Sequence, residues 1–438
     1  WINSTSTSVK GKGQASSIIY RTGSSGAVVH QQNITYDSYG RASLQTQTLD
    51  GLVLSDETTY DQFGRVFQQF DASGDDRGVR LHYNTRGYLE RLQEAREGAQ
   101  GVMYQQILSQ DQRGNVTAMA LGNGVTAAAN YNPGTGRLVS LEAYDRNSVE
   151  LQFVSYGFDV LGNLLYRHDT SDTQNLKETF SYDALNRLEQ VLLSTNGAAA
   201  QTTLSLQYSV SGNITSKSDV GTYLYGQNGA GAHAVTTAGN TTYSYDSNGN
   251  QVSSSDGRSI TYTVFDQANR VQKSAEFTEF QYGIGNQRIK RLDSNSVDGN
   301  KTSWYFGSVE RIQFQGENPF FRRSIGGVAV VDYFPSSGAT SATYLVKDHL
   351  GSIHTVTDQS GQAATATRMH FGAFGERQNP GWSAAISLVG SQLQNMINTR
   401  GFTGHEHADG LGIIHMNGRI YDPKLGRFLQ ADPFVQAP

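Results

Sequence analysis

The chain has 438 residues and a mass of 47.7 kDa, more than one ordinary domain, so several domains or a repeat array are expected. Thirty-four Lys and Arg face 39 Asp and Glu, a net charge of −5 with no block of one sign. This excludes the basic face that binding to nucleic acid requires. No stretch approaches the roughly 18 consecutive apolar residues of a membrane span. The absence of Cys removes disulfide frameworks, thiol nucleophiles and Cys-based metal centres.

Forty-eight Gly against 7 Pro, with 23 Tyr and 19 Phe, fit many turns between strands whose ladders exclude Pro. The chain starts at Trp1 without a leader pattern, and a piece of a longer polypeptide is expected.

A six-residue pattern then recurs along the chain. Tyr36-Asp37-Ser38-Tyr39-Gly40-Arg41 returns as Tyr60-Asp61-Gln62-Phe63-Gly64-Arg65 and as Tyr83-Asn84-Thr85-Arg86-Gly87-Tyr88. Further copies begin at Gln110 (Asp111, Gly114), Tyr131 (Asn132, Gly136), Phe158 (Asp159, Gly162) and Tyr182 (Asp183, Asn186, Arg187). Later ones begin at Tyr208 (Gly212), Tyr245 (Asp246, Gly249) and Phe265 (Asp266, Asn269, Arg270). Neighbouring copies lie 24, 23 and 20 residues apart in the pairs Tyr36/Tyr60, Tyr60/Tyr83 and Tyr245/Phe265.

Turn chemistry accounts for the pattern. Asp or Asn at the first turn position bonds backbone two residues on, and Gly three residues later supplies the left-handed conformation that closes a hairpin with a bulge. Asn186 and Asn269 stand where Gly is missing, as the residue type that best tolerates positive φ. Flanking runs such as Arg65-Val66-Phe67-Gln68 alternate apolar and polar, which predicts half-buried strands. A lone hairpin is marginal in water, so stacked hairpins in a long spiralling sheet are expected. A β-propeller would need a period of about 40–45 residues, twice that observed.

The repeat resembles the YD-repeat, or Rhs-repeat, family over essentially the whole chain. Tyr344-Leu-Val-Lys-Asp348-His349-Leu350-Gly351 resembles the start of the family's core segment. Arg400-Gly-Phe-Thr-Gly404-His405-Glu406, then Arg419-Ile420-Tyr421-Asp422-Pro423, Gly426-Arg427-Phe428-Leu429 and Asp432-Pro433, resemble the Rhs-associated core signature. The resemblance implies an all-β hollow shell of antiparallel hairpins over 1–340 and a core plug over 341–438 that contains a short helix. It implies secretion or bacterial cell-surface display, as in Tc toxin C subunits and the Rhs effectors of interbacterial competition. The implied partners are the protein's own C-terminal toxin, held inside the shell, and a secretion-apparatus or companion toxin-complex protein. Many members free the toxin by aspartyl autoproteolysis.

That chemistry needs two carboxyl groups close enough to share a proton. Asp432 matches the first catalytic Asp of the family. Its partner belongs to a second Asp-Pro segment that this sequence lacks, and Phe434-Val435 departs from the family pattern, so no activity is expected of this stretch alone. Asp422 is expected to be a turn residue, with Gly426 in the left-handed region and Arg427 re-entering the sheet. Arg419 and Arg427 are expected to form structural ion pairs.

His405, His407 and His415 with Glu406 and Asp409 lack a metal motif's spacing, and packing roles are expected for them and for His349 and His354. No metal or cofactor is expected. Gly229-Ala230-Gly231 and Gly283-Ile284-Gly285 lack the strand-to-helix context of a phosphate cradle and are expected to be turns. The Asn-x-Thr sequons at Asn33, Asn115, Asn213, Asn240 and Asn300 are attributed to chance. Ser383 to Asn398 carries the one amphipathic pattern that predicts a helix. Two functions follow: a toxin-enclosing shell with a self-cleavage half-site, or a YD-repeat adhesion protein of the cell surface.

Overall fold

A computed structural model describes residues 13–21, 26–74, 77–95, 101–171, 173–295, 299–386 and 400–432. Thirty-two strands, from Ser17–Arg21 to Thr367–Arg368, form one sheet. Each pairs antiparallel with the strands before and after it in sequence. The result is an uninterrupted meander that continues past residue 340. Among the described residues the only helical elements are short 3₁₀ turns, such as Phe402–Gly404 and Asp409–Leu411 in the C-terminal region. Of the segment predicted as a helix, Ser383 to Ile386 is not helical and 387–398 lies outside the described residues.

The repeat turns show why the sequence folds this way. Oδ1 of Asp37 accepts the amides of Tyr39 and Arg41 at 2.9 and 3.0 Å. Its other oxygen accepts the Arg41 guanidinium at 2.6 Å. Gly40 closes the turn at φ 81°. Asp61 with Gly64 repeats the arrangement, as does Asp183 with Asn186 at φ 61°. In Asp246 with Gly249 the guanidinium is replaced by the side-chain amide of Asn250, 3.1 Å from the carboxylate. A ladder irregularity falls at the Tyr before each of these turns, as a hairpin bulge requires.

The arginine then reaches into the next repeat. Arg41 stacks 4.0 Å over the ring of Tyr60, and the Tyr60 hydroxyl donates to the Ala42 carbonyl at 2.8 Å. Arg65 and Tyr83 do the same, as do Arg187 and Tyr208. In these repeats Asp, Gly, Arg and Tyr of the pattern link one hairpin to the next.

One repeat is framed differently from the expectation. In the turn after Tyr262, Thr263 takes the Asp place and Asp266 the left-handed place, at φ 57°. Asn269 lies inside the strand Ala268–Lys273 and is not a turn residue. The motif Phe265-Asp266 imitates the repeat three residues out of register, and the hydroxyl of Thr263 caps as Asp does elsewhere, over 3.2 Å to the amide of Phe265.

A meander of this length must coil, because strand twist accumulates from pair to pair. Its early strands come to lie beside much later ones. His30 accepts the amide of Ile284, Asp50 accepts from Trp304, Asp71 binds Arg323, and Asn123 donates to Thr357. These contacts link residues 254 and 252 positions apart for the first and third pairs, so one turn of the spiral takes that much chain. No ladder joins the first strand of the sheet to the last among the described residues.

Buried apolar side chains form five separate clusters rather than one core. The first joins Phe180, Leu206, Val271 and Phe280 of the long sheet to Leu411, Ile413, Ile420 and Leu429. The latter group lies in and beside a four-stranded sheet of Glu406–Ala408, Ile413–Met416, Arg419–Asp422 and Arg427–Phe428. The C-terminal sheet is therefore seated on one face of the spiral by apolar packing.

Candidate functional site at the C-terminal core

Asp422 ends the strand Arg419–Asp422 and is buried. Its Oδ1 accepts the Leu425 amide at 2.9 Å, and its carbonyl accepts the Gly426 amide at 2.9 Å. Gly426 has φ 68°, and a Cβ there would meet the Phe374 ring at 2.8 Å, so only Gly fits. Pro423 sits within this turn, and Arg427 pairs with Asp422 in the next strand. The second oxygen of Asp422 binds Arg258 at 2.7 Å, 164 residues away, which fastens the core turn to the spiral. Arg427 points the same way, donating to the His233 carbonyl at 3.0 Å. The ring of Tyr421 packs edge-on against Phe428, and burial pushes its hydroxyl pKa up.

Asp432 is held by a different arginine. Arg419 lies 3.1 Å from its carboxylate and stacks 3.7 Å over Phe428. The Asp432 side chain is 44% exposed, so this carboxylate faces water where Asp422 does not. Pro433 and the Phe434-Val435 departure lie outside the described residues. A cleft of about 810 Å³ opens beside this region, lined by Tyr182, Arg187 and Tyr208 from the spiral and by Phe374, Arg419 and Arg427 from the core.

Glu406 anchors the other side of the core. It binds Arg288 at 2.6 Å, Arg400 at 3.0 Å and Arg291 at 3.1 Å, and accepts from the Tyr305 hydroxyl at 3.2 Å. Burial alone would raise its carboxyl pKa, but the three guanidinium groups, Arg288 foremost, hold it well below the usual range. Around it the histidines are neutral: burial drives His407 and His415 well below their ordinary value. His407 accepts the Phe402 amide at 3.0 Å, His405 pairs with the Thr403 hydroxyl at 2.7 Å, and the His415 ring packs on Phe280. Gly229 lies in a turn, as do Gly283 and Gly285, where Asn286 has φ 59°.

The sequence reading missed two features. Arg258, Arg288 and Arg291, which grip the core carboxylates, carry no motif and are ordinary strand residues to the eye. Asp169, His354 and His370, up to 201 residues apart by number, are brought into one buried cluster.

No family model matches this sequence, and no curated protein matches it. Solved structures do. The crystal structure of TcdB2-TccC3-Cdc42 superposes with a TM-score of 0.73 at 16% identity, over 95% of this chain and 24% of that one. TcdB2-TccC3 without its hypervariable C-terminal region gives 0.69 at 16% identity, again over 95% and 24%. The Photorhabdus luminescens Tc holotoxin pore carrying TccC3-D651A gives 0.69 at 16% identity, over 95% and 23%. The chain thus spans about a quarter of the length of the structures it matches. Its fold is the all-β, spiralling antiparallel sheet that these TcdB2-TccC3 structures share with it.

Proposed function

We propose that this chain is wall and core of an encapsulating shell, in which a C-terminal toxin of the same protein is held until delivery. The spiral over 1–340 serves as wall and 341–438 as core, and the protein is secreted or displayed by a bacterium with a companion toxin-complex or secretion-apparatus protein. The observation that carries this reading is the gripping of the C-terminal sheet by the spiral, through Arg258–Asp422 and Arg288–Glu406, with Asp432 paired to Arg419 and exposed.

In this proposal Asp432 is one carboxyl of a proton-sharing pair, the second comes from the following polypeptide, and Arg419 orients the first. The test is expression of the longer protein with and without Asp432→Asn. Two bands for the native protein and one for the variant are expected. A single band in both would retire self-cleavage and leave the shell untouched, and a densely filled interior in the longer protein would retire the shell.

A second reading, adhesion at the cell surface, rests on one observation. Tyr39, Phe63, Leu161, Leu185, Phe265 and Leu350 occupy the same turn position in six repeats and are all at least half exposed, as in Phe63 at 72%. Cell binding by this chain that is abolished by Tyr39→Ser with Phe63→Ser would favour it.

A further inference from the structure

Asp169 ends the strand Leu164–Asp169, His354 belongs to Ile353–Thr357, and His370 begins the short strand His370–Phe371. All three are buried, and one ligand atom of each lies within 4.8 Å of the others. His354 Nε2 is 3.1 Å from Asp169 Oδ2. The other oxygen of Asp169 is engaged by the amide and hydroxyl of Ser171, which fixes the carboxylate plane. A cavity of about 20 Å³ is lined by His349, His354 and His370, with Met369 and Trp382, and it is large enough for one water-sized guest. Two buried polar atoms on its walls, His349 Nδ1 and Trp382 Nε1, have no hydrogen-bond partner. Of the nearby cations, Arg167 is neutralised by Glu178 at 2.5 Å and donates to the Phe371 carbonyl, and Arg368 donates to the Ser171 carbonyl at 2.7 Å.

We propose that Asp169, His354 and His370 form a structural site for one divalent transition ion of the zinc class, which fastens the core to the spiral wall. Two imidazole nitrogens and one carboxylate oxygen suit zinc, cobalt or nickel, whereas calcium and magnesium call for a cage of oxygens. His354 is oriented by a neighbour as metal-bound histidines are: its Nδ1 lies 2.9 Å from the Thr355 hydroxyl. With an ion on Nε2 the ring proton sits on Nδ1, which donates a hydrogen bond to the Thr355 hydroxyl oxygen. Tetrahedral ligands of an ion at about 2.0–2.1 Å stand roughly 3.3 Å apart, close to the 3.1 Å between His354 Nε2 and Asp169 Oδ2. The ion joins Asp169 of the strand Leu164–Asp169 to the C-terminal segment that carries His354 and His370.

The test uses the untagged full chain, stripped with chelator and titrated with Co²⁺ and then Zn²⁺. Stoichiometric d–d absorption of four-coordinate Co²⁺, displaced by Zn²⁺, is expected, together with a higher unfolding temperature on adding Zn²⁺. His370→Asn leaves every assigned hydrogen bond of the cluster in place and is expected to weaken binding roughly tenfold or more and to abolish the thermal shift. Asp169→Asn is expected to behave alike, its circular dichroism showing whether it has folded. Absence of the Co²⁺ bands in the folded native protein would overturn the site, and so would unchanged affinity in folded His370→Asn.

Discussion

Replacing Glu406 by Gln is the most informative single perturbation of the core. The carboxylate is buried and faces three guanidinium groups and a tyrosine hydroxyl. Removing one partner of a buried ion pair costs about 3–5 kcal/mol, because the opposite charge is left without its counterpart in a poorly solvated site. Two of the three arginines keep a second partner, Arg291 with Asp293 at 2.8 Å and Arg400 with Glu310 at 3.4 Å. Among the described residues Arg288 bonds no other carboxylate at comparable range, so its isolation sets the cost, and the lower end, about 3 kcal/mol, is expected. The sign with pH is determined by the depressed pKa. Glu406 contributes its full stability above its unfolded value of 4.5, and that contribution falls away as pH drops further. The gap between native protein and variant is therefore widest at neutral pH and closes in acid. Urea unfolding, followed with hydrogen exchange of the Ile413–Met416 amides, measures both. A variant within about 1 kcal/mol of native at pH 7, or a gap that widens on acidification, would refute the claim that this carboxylate clamps the core.

Other consequences are as direct. Arg323 is fully buried and ties Asp71 and Glu94 of one spiral turn to the next, at 2.6 and 2.7 Å, so Arg323→Met is expected to cost about 3–5 kcal/mol in denaturant unfolding. Tyr83→Phe keeps the ring under Arg65 but loses the hydroxyl bond to the Val66 carbonyl, which should cost about 0.5–1.5 kcal/mol by the same assay. Gly64→Ala forces an L side chain to φ 81° and is expected to cost about 1–2 kcal/mol, while Asn186→Gly should be nearly neutral. Burial, with Asp71 beside it, pushes Asp56 up to about 6, so stability falls as pH rises from 4 through 6. Asp56→Asn should flatten that limb of the pH profile, and an unchanged profile would reject the assignment.

The hairpins were legible in the sequence because their chemistry is local. An Asp side chain caps amides two and four residues on, and a Gly or Asn three residues on takes positive φ, as in Asp37–Gly40 and Asp183–Asn186. The one misframed copy shows the limit of this reading: a hydroxyl at Thr263 caps as a carboxylate does, and nothing in the string Phe265-Asp266-Gln-Ala-Asn269 distinguishes the imitation from the motif.

What the tertiary structure alone decided are contacts between distant segments. The Arg-to-Tyr ladder spans one repeat, as from Arg41 to Tyr60, and emerges only when two hairpins lie side by side. The pairing of Asp71 with Arg323 depends on how many strands complete a turn, which accumulated twist sets and no local pattern encodes. The same holds for Arg258 on Asp422 and for Asp169 beside His354 and His370. Local turn energies dictate that the ribbon forms, and its curvature dictates which side chains meet across it.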